Sequence, residues 1–583
     1  MRRVQAGSMG NIFLVTALGL ATALGWITLT SSQEAEAQST KNLLGGPRGT
    51  VRDSKGFPLE GIMVQLISRK NSIRTTVYTD QLGKYEFPQL EGGHYTLRIP
   101  RPLEYRRYQR DSVRIDGATP LGEITLERLT DSEFLPPTPD ILPQLTEAEW
   151  LANLPGTGQE KKTFINTCGG SCHGFQNQFR ARFDEPGWRK IVHRMSYQER
   201  ILVQPVGTEM YYDPSTKHFG YRARPSGSGN GEGAGFSDAA GARGVSAEEM
   251  EMVVKWLSRV RGPDAQDPPM KAFARPQGPA TRAIVTEYEL PWAAAVVHDV
   301  TGDQEGNIWF TINRSPFIGK LDPKTGKVTS YRTPTRENIH PGEHWIRVDK
   351  NGMVWFSDTW SRSLGRFNPR TEKFDMVYTG LHGNVALAPD GSIWRTDGGQ
   401  IKKYDPANVF ETGKPVQQFP MQKMKDTYGN FLSRDGNYFA GVGREIVFLD
   451  IRSGKVRELP VPSGNAGSGR GDFDPSGNGW FGSKMGMLVK YDPQANAVSE
   501  YVSPTPYTNF YSATTDKNGE VWAGEMHGGR VARFNPRNSR WTEYQLPTVW
   551  SFDYTNWIDN STDPVSYWYG DYYGYIVHVQ PLE

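Results

Sequence analysis

The chain has 583 residues, enough for several folded domains, and its 66 lysines and arginines nearly balance its 64 aspartates and glutamates. This balance argues against a basic surface for nucleic acid or anionic lipid. The 63 glycines and 16 tryptophans favour turn-rich β structure over helical bundles.

Residues 1–37 have the features of a secretory signal peptide. A basic start ending at Arg3 precedes an apolar run over 12–29, and Ala35 and Ala37 frame a small-x-small cleavage site. The apolar run is long for a signal peptide, so an uncleaved membrane anchor is the alternative. The sequence therefore predicts a periplasmic or secreted protein whose mature part is soluble or tethered at this end.

Residues 45–129 are predicted to form a small antiparallel β-sandwich. Short runs of alternating apolar residues, such as 62–66 and 93–99, are separated by turns rich in glycine and aspartate. These runs resemble the carboxypeptidase regulatory-like domain, a transthyretin-like β-sandwich. The resemblance implies an accessory module that spaces domains or binds carbohydrate or protein surfaces, and no catalytic residues are predicted in it.

Residues 145–262 contain the two cysteines of the chain. Cys168 and Cys172 are followed directly by His173, in a C-x-x-x-C-H pattern. This is one residue longer than the C-x-x-C-H motif in which two thiols attach a c-type haem and the imidazole binds its iron. The two glycines between the cysteines would let the extra residue bulge out. A disulfide, or two free thiols beside an incidental histidine, is the alternative.

Helices are predicted on both sides of this motif. One covers 159–167, and Asp184 caps a second that carries an apolar face. Ser246 and Glu249 form a capping box that begins a third. This order resembles a small monohaem cytochrome c, and the resemblance implies a covalent haem c.

The sixth ligand of the haem iron has three candidates. Met195 lies on an apolar face downstream of the motif, as in small cytochromes, although a methionine there can also simply fill the core. His193 would give bis-histidine ligation, and Met210 lies in a polar segment that could fold over the haem. His173 and Met195 are therefore the predicted iron ligands, with the other two left open.

A proline-rich linker at 263–280 leads into a repeated module over 281–583. A strand with glycine before an aromatic residue returns at intervals of about 40 to 46 residues. Its aromatic residues are Trp309, Trp355, Trp394, Phe439, Trp480, Trp522 and Trp568. Seven copies predict a seven-bladed β-propeller, and a strand at 286–291 is predicted to complete the last blade.

The repeats resemble the propellers of the virginiamycin B (streptogramin B) lyase family, whose enzyme opens a cyclic depsipeptide by Mg²⁺-assisted elimination. In the catalytic blade of that family, a histidine lies eleven residues before the repeat tryptophan and a glutamate three after it. Glu525 takes the acid position in the sixth blade, but Tyr511 takes the histidine position. The second blade has His344 and Asp358 at these offsets, and the first has His298 at the histidine offset.

Equal offsets lie at the same level of the inner strands, so these side chains are predicted to converge on one mouth of the central channel. Asp397 and Asp571 take the acid offset in two further blades. The candidate catalytic residues are His344, Asp358 and Glu525, and the two acids are candidate ligands for Mg²⁺ or Ca²⁺. Polar side chains that merely contact channel water are the alternative.

The predicted fold class is a mainly β multidomain protein with a β-sandwich, a small α-helical cytochrome c domain and a seven-bladed propeller. The preferred function is electron transfer or oxidoreductase chemistry by an exported haem c protein. Its propeller would bind a redox partner protein or a small-molecule or carbohydrate-like ligand. The alternatives are a Mg²⁺-dependent C–O lyase with an accessory cytochrome, and a non-enzymatic binding or scaffold protein. The lyase is disfavoured because Glu525 lacks a histidine partner in its own blade.

Overall fold

The structure is a computed structural model of the chain. It describes residues 43–168, 174–192, 208–213, 218–223 and 246–583, apart from 293–294, 314, 336–341, 379–382, 444, 465–468 and 484. The predicted signal peptide and the predicted haem residues Cys172, His173, His193 and Met195 lie outside the described residues. None of the described helices combines the length and apolar character that crossing a membrane requires.

The predicted β-sandwich forms from seven strands whose inward residues alternate with exposed ones. Its core includes Val51, Leu66, Leu97 and Ile124, all fully buried. One sheet has the order β4-β1-β7, and the strands of the other run β3-β2-β5-β6. The strands are β1 (Arg48–Asp53), β2 (Met63–Ser68), β3 (Arg74–Tyr78), β4 (Lys84–Glu86), β5 (Gly93–Arg98), β6 (Gln109–Ile115) and β7 (Pro120–Leu126).

A helical module follows the sandwich. Capping boxes begin its first and last helices, at Thr146 and, as predicted, at Ser246. Phe164 packs against Trp256, with ring centroids 5.3 Å apart, so two of its helices share one aromatic core. The elements are a 3-10 turn at Leu142–Gln144, α1 (Glu147–Asn153), α2 (Gly158–Cys168), α3 (Gln176–Arg180), β8 (Thr208–Asp213), β9 (His218–Ala223) and α4 (Ala247–Val260), with 185–192 also helical.

Seven four-stranded antiparallel units follow, and the inner strand of the last contacts that of the first, which closes a propeller-like ring. A 3-10 turn at Gly278–Thr281 and strand β10 (Ala283–Glu289) precede blade 1. Blade 1 consists of β11 (Val296–Gly302), β12 (Ile308–Asn313), β13 (Phe317–Asp322) and β14 (Lys327–Arg332). Blade 2 consists of β15 (Glu343–Val348), β16 (Val354–Asp358), β17 (Ser363–Asn368) and β18 (Lys373–Val377). Blade 3 consists of β19 (Ala386–Leu387), β20 (Ile393–Asp397), β21 (Gln400–Tyr404) and β22 (Gln417–Pro420), with the short helix α5 (Val409–Thr412) before its last strand.

Blades 4 to 7 complete the ring, and blade 6 has its inner strand in two pieces. They are β23 (Gly429–Leu432), β24 (Tyr438–Val442), β25 (Ile446–Asp450), β26 (Lys455–Leu459); β27 (Gly471–Phe473), β28 (Gly479–Ser483), β29 (Met487–Asp492), β30 (Ala497–Val502); β31 (Asn509–Phe510), β32 (Thr514–Thr515), β33 (Val521–Met526), β34 (Arg530–Asn535), β35 (Arg540–Gln545); and β36 (Asp553–Asp559), β37 (Ser566–Asp571), β38 (Tyr575–Pro581).

The repeat tryptophans are buried, and four of them, Trp309, Trp355, Trp480 and Trp522, donate to an aspartate six residues earlier. In blade 1 the indole N–H of Trp309 donates to Asp303 at 2.8 Å, and in blade 6 that of Trp522 donates to Asp516 at 3.0 Å. The same aspartates cap the turn between the two inner strands of their blades, so the repeat is a packing unit.

Strand β10 completes blade 7, as predicted, because it pairs with β38 from Ala283 to Glu289. Its other edge pairs with β3 of the sandwich, which the sequence did not predict. The result is one eight-stranded sheet that continues from blade 7 into the sandwich. Glu287 is buried at this seam and accepts a hydrogen bond from Gln65 Nε2 at 3.2 Å; burial raises the pKa of its carboxyl.

Candidate functional site at the propeller mouth

Side chains at the histidine offset meet where the inner strands begin. The ring centroids of His298 and His344 are 3.9 Å apart, and Tyr511 lies 5.9 Å from His298. Tyr554 of blade 7 stacks on His298, with ring centroids 4.4 Å apart. It lies three residues before Trp557, which pairs with the repeat residue Trp568. The predicted convergence therefore holds for this offset in blades 1, 2 and 6.

These residues belong to a larger group that we call the mouth cluster. Asp299 of blade 1 forms an ion pair with Arg470 of blade 5, with Nη1 to oxygen distances of 2.8 and 2.6 Å. Blades 1 and 5 are not neighbours in the ring, so this contact crosses the central channel. The mouth cluster comprises His298, Asp299, His344, Tyr428, Arg470, Tyr511, Tyr554 and Thr555.

The ion pair is buried, because Asp299 is 0% and Arg470 is 4% exposed. Burial raises the pKa of the Asp299 carboxyl, but Arg470, His298 and Arg347 together more than offset this, and the pKa falls below its ordinary value. Thr555 donates to Asp299 and accepts from Arg470, at 2.9 Å in each case. Asp299 is therefore a carboxylate at neutral pH, and a buried, hydrogen-bonded ion pair spans the centre of the channel.

The two histidines bridge this ion pair to two tyrosines. His344 lies between Arg470 Nη2, 3.0 Å from its Nδ1, and the Tyr428 hydroxyl, 3.1 Å from its Nε2. His298 lies between Asp299, 2.7 Å from its Nδ1, and the Tyr511 hydroxyl, 3.4 Å from its Nε2. The two tyrosine hydroxyls are hydrogen-bonded to each other. Burial lowers the pKa of His298 and raises those of both phenols.

Asp358, at the acid offset of blade 2, has different partners. Its carboxylate accepts backbone N–H groups of Gly342, Trp360 and Ser361, at 3.2, 2.8 and 3.0 Å. Burial raises the pKa of Asp358. The carboxylate of Asp358 therefore stabilises the loop after β16, whereas the imidazole of His344 is hydrogen-bonded to Arg470 and Tyr428.

Glu525, at the acid offset of blade 6, is fully buried beside a second carboxyl group. Ser503 donates to it at 3.4 Å, and both burial and the neighbouring Glu543 raise the pKa of Glu525 well above its usual value. Asp571 accepts the backbone N–H groups of Phe552 and Tyr573, and burial raises its pKa to about 7. The acid-offset residues thus have separate surroundings.

The acid-offset residues do not assemble a cation site in the described part of the chain. No group of three or more His, Cys, Asp or Glu side chains there is placed to hold a metal ion. Asp397, the acid-offset residue of blade 3, lies 2.8 Å from Lys402 Nζ. The Mg²⁺ or Ca²⁺ ion remains a prediction from the sequence.

The helical module is docked on the same edge of the propeller. Phe175, which follows the cysteine motif closely, stacks on His527 at 4.0 Å, and Glu147 of α1 is hydrogen-bonded to the same imidazole. A Cβ built on Gly174 would lie 1.8 Å from Oε1 of Glu147, so a residue with a side chain could not occupy this position without a shift. The chain directly after His173 is therefore fixed against blade 6.

Aromatic rings connect this docking point to the mouth cluster. His527 lies 5.4 Å from Phe552, which lies 5.1 Å from Tyr554. Gln176 is also hydrogen-bonded to the Tyr573 hydroxyl of blade 7. Cys168, the one described cysteine, ends α2 and is half-buried against the apolar core of the helical module.

Sequence reasoning missed five members of the mouth cluster, namely Asp299, Tyr428, Arg470, Tyr554 and Thr555, and three of them show why. Tyr428 lies eleven residues before Phe439, so the offset rule applied to blade 4 would have found it. Asp299 follows His298 directly, but nothing in its spacing marks it. Arg470 follows the glycine at the offset of blade 5, so only the closed ring reveals its contact with blade 1.

Comparison with known protein families supports the N-terminal module. Residues 48–127 match the family of carboxypeptidase regulatory-like domains, which confirms the predicted sandwich. No curated protein matches the chain. The known family therefore covers the N-terminal module alone.

Several solved structures are similar to about half of the chain. Virginiamycin B lyase from Staphylococcus aureus is 17% identical over 51% of this chain and 99% of its own, with a TM-score of 0.43. A streptogramin B lyase structure is 20% identical over 52% and 100%, with a TM-score of 0.44, and a chain of the mitotic checkpoint complex is 9% identical over 50% and 90%, at 0.42. They are structural neighbours of propeller type and say nothing about the activity of this chain.

Proposed function

We propose that the chain is an exported redox protein that carries a haem c at Cys168, Cys172 and His173 and holds its ligand or partner at the propeller mouth. The observation that carries the proposal is the docking of the chain after His173 on the mouth edge of the propeller. Phe175 reaches His527 there, and two further rings lead to Tyr554 of the mouth cluster.

The surroundings of Cys168 suit a thioether to a large apolar ring. The residue ends α2, and it packs against a cluster of buried aromatic side chains. Bound haem c would supply one-electron transfer between a donor and an acceptor. The protein would contribute the position of Cys168 at the end of α2 and the exclusion of water by Phe164, Phe175 and Trp256.

The lyase alternative has less support. Tyr511 stands where the family pattern requires a histidine, and burial raises the pKa of its phenol well above the ordinary value. Glu525 is 0% exposed and lies beside Glu543. A fully buried carboxyl group gives a substrate no access, so this position offers little to a lyase mechanism. A scaffold role would remain if no haem is attached.

The test is haem staining of the full chain after expression in the periplasm, followed by denaturing electrophoresis. We expect covalent stain and a reducible α band in the wild type, and loss of the stain in Cys172→Ala and His173→Ala. His94→Ala, which changes an exposed histidine of β5, is the matched control and should keep the stain. Unstained wild-type protein, or full staining in Cys172→Ala and His173→Ala, would contradict the proposal. Met195→Ala tests the sixth ligand separately, through the loss of a sulfur-to-iron band.

A further inference from the structure

The hydrogen bonds of the mouth cluster assign the proton positions of both imidazoles. Arginine can only donate, so Nδ1 of His344 accepts from Arg470 and its proton lies on Nε2, pointing at Tyr428. Asp299 can only accept, so the proton of neutral His298 lies on Nδ1. The Tyr428 hydroxyl then donates to Tyr511, and the Tyr511 hydroxyl donates to Nε2 of His298.

The same side chains also satisfy a second arrangement, in which His298 carries both protons. Its Nε2–H then donates to Tyr511, whose hydroxyl donates to Tyr428. The hydroxyl proton of Tyr428 then points away from both Tyr511 and His344. Tyr428 is also the member that is only half-buried, whereas Tyr511 and His298 are each 2% exposed. A proton can therefore enter at Tyr428 and reach His298 without any other bond being lost.

We propose that Tyr428, Tyr511 and His298 form a proton relay that accepts the hydroxyl proton of a phenol-type ligand bound at the propeller mouth. The ligand O–H bond breaks and its proton goes to the Tyr428 oxygen. The Tyr428 proton passes to Tyr511 and the Tyr511 proton to Nε2 of His298. The products are a phenolate and an imidazolium, which Asp299 stabilises, and no oxidant or other reactant is needed.

The charge at the mouth favours a ligand that becomes an anion. The guanidinium of Arg470 lies 5.7 and 5.6 Å from the ring centres of Tyr428 and Tyr511, so a positive charge stands directly beside the relay. Fixed positive charge beside a developing oxyanion stabilises it without reorganisation.

The aromatic side chains beside the mouth cluster determine which class of hydroxyl compound fits there. Tyr428, Tyr572 and Tyr573 are half-buried and pack against the mouth cluster, so they offer flat faces to an aromatic ring. His298 faces Asp299, Arg470, His344, Tyr511 and Tyr554; burial lowers its pKa, and the contact with Asp299 raises it. The flat faces of the three half-buried tyrosines therefore favour an aromatic hydroxyl compound over an aliphatic alcohol.

The inference shares with the proposed function only the use of the mouth as a ligand site, because none of its steps requires a haem. The probe is p-nitrophenol, whose deprotonated form is yellow, added to the full chain at a pH where the free phenol is mostly neutral. A difference spectrum against protein without ligand removes any haem band, and equilibrium dialysis measures binding separately. We expect the bound phenol to be ionised about tenfold more than the free phenol, which corresponds to one pKa unit.

Variants locate the effect. Tyr511→Phe interrupts the relay but keeps the ring, so we expect retained binding and loss of the extra ionisation. His298→Gln removes the acceptor and should do the same, which covers the case in which Tyr511→Phe does not fold. Tyr544→Phe, in the outer strand of blade 6, is the control and should ionise the phenol like the wild type.

Three results would overturn the relay: no binding of p-nitrophenol, binding without added ionisation, or unchanged ionisation in both Tyr511→Phe and His298→Gln. Haem staining of the same preparation separates the two proposals. A haem-free protein that still ionises the bound phenol would end the redox proposal and leave the relay in place. A stained protein that fails to ionise it would do the reverse.

Discussion

Replacing Asp299 by asparagine removes one charge from the ion pair that closes the propeller channel and changes almost nothing in shape. Arg470 would then remain 4% exposed, with Thr555 and His344 as its uncharged partners. A buried charge left without its counter-charge typically costs about 3 to 5 kcal/mol. We expect Asp299→Asn to lower the free energy of unfolding of the propeller by about that amount.

The assay is urea unfolding at neutral pH, followed by the fluorescence of the repeat tryptophans. The pKa of Asp299 lies below its ordinary value in the folded protein. Its stabilisation is therefore present above the unfolded pKa and is lost as the pH falls through the folded one. The difference between Asp299→Asn and wild type should be largest near neutral pH and shrink in strong acid. It should also change little with salt, because the pair is buried.

Asp375→Asn is the matched control, since Asp375 forms an ion pair of 2.7 Å with Arg366 at the surface and is 50% exposed. An exposed pair contributes about 0 to 1 kcal/mol, so this variant should unfold almost like the wild type. Adding Arg470→Met to Asp299→Asn removes both charges and should restore part of the lost stability. If Asp299→Asn unfolds like the control, the contact between Asp299 and Arg470 does not stabilise the channel and our reasoning about its burial is wrong.

Two further variants test other parts of the structure. Burial raises the pKa of Asp553 to about 8, so the native protein keeps a proton that the unfolded chain releases, and its stability should rise as the pH falls from 8 towards the unfolded value. In pH-dependent urea unfolding, Asp553→Asn should remove a slope of up to about 1.4 kcal/mol per pH unit, and an unchanged slope would contradict the assignment. Phe175→Ala should undock the helical module at a cost of about 3 to 5 kcal/mol, seen as faster hydrogen exchange in α1 and α2 with the propeller unchanged. Phe134→Ala, at a side chain that is 67% exposed, is its control, and equal exchange in the two variants would count against the docking contact.

Local patterns in the sequence predict the blades well, because each blade carries its own signal. Trp309 and Trp522 mark their turns through aspartates six residues earlier, and the spacing of the copies predicts the ring. The missing outer strand of blade 7 points to β10, since a four-stranded blade needs a partner there. Contacts between distant segments carry no such mark. The pairing of β10 with β3 uses backbone groups that any extended strand can offer, and this is why the seam was not predicted.

Equal offsets place backbone positions at one level, but they do not determine what the side chains contact. His298 and His344 meet because both point towards the axis of the ring, where the Asp299–Arg470 pair lies. Asp358 has the right offset, yet the backbone amides of its own loop satisfy it locally, as short acidic side chains often are. The offset rule therefore predicted the contacts of the rings that face the channel axis. It failed for carboxylates that lie close enough to a turn to accept its backbone N–H groups.

The surroundings of Glu525 and His527 in blade 6 explain why these two side chains are not part of the proposed relay. The turn that follows Glu525 lies against the helical module, because a Cβ built on Gly529 would lie 2.8 Å from Thr146 at the start of α1. His527, two residues beyond Glu525, is committed to Glu147 and Phe175. Both polar side chains of this edge are thus buried under the docked helices, and a ligand cannot reach them. Tyr428 of blade 4 is the partly exposed member of the hydrogen-bonded relay, so a ligand would meet the relay at this residue.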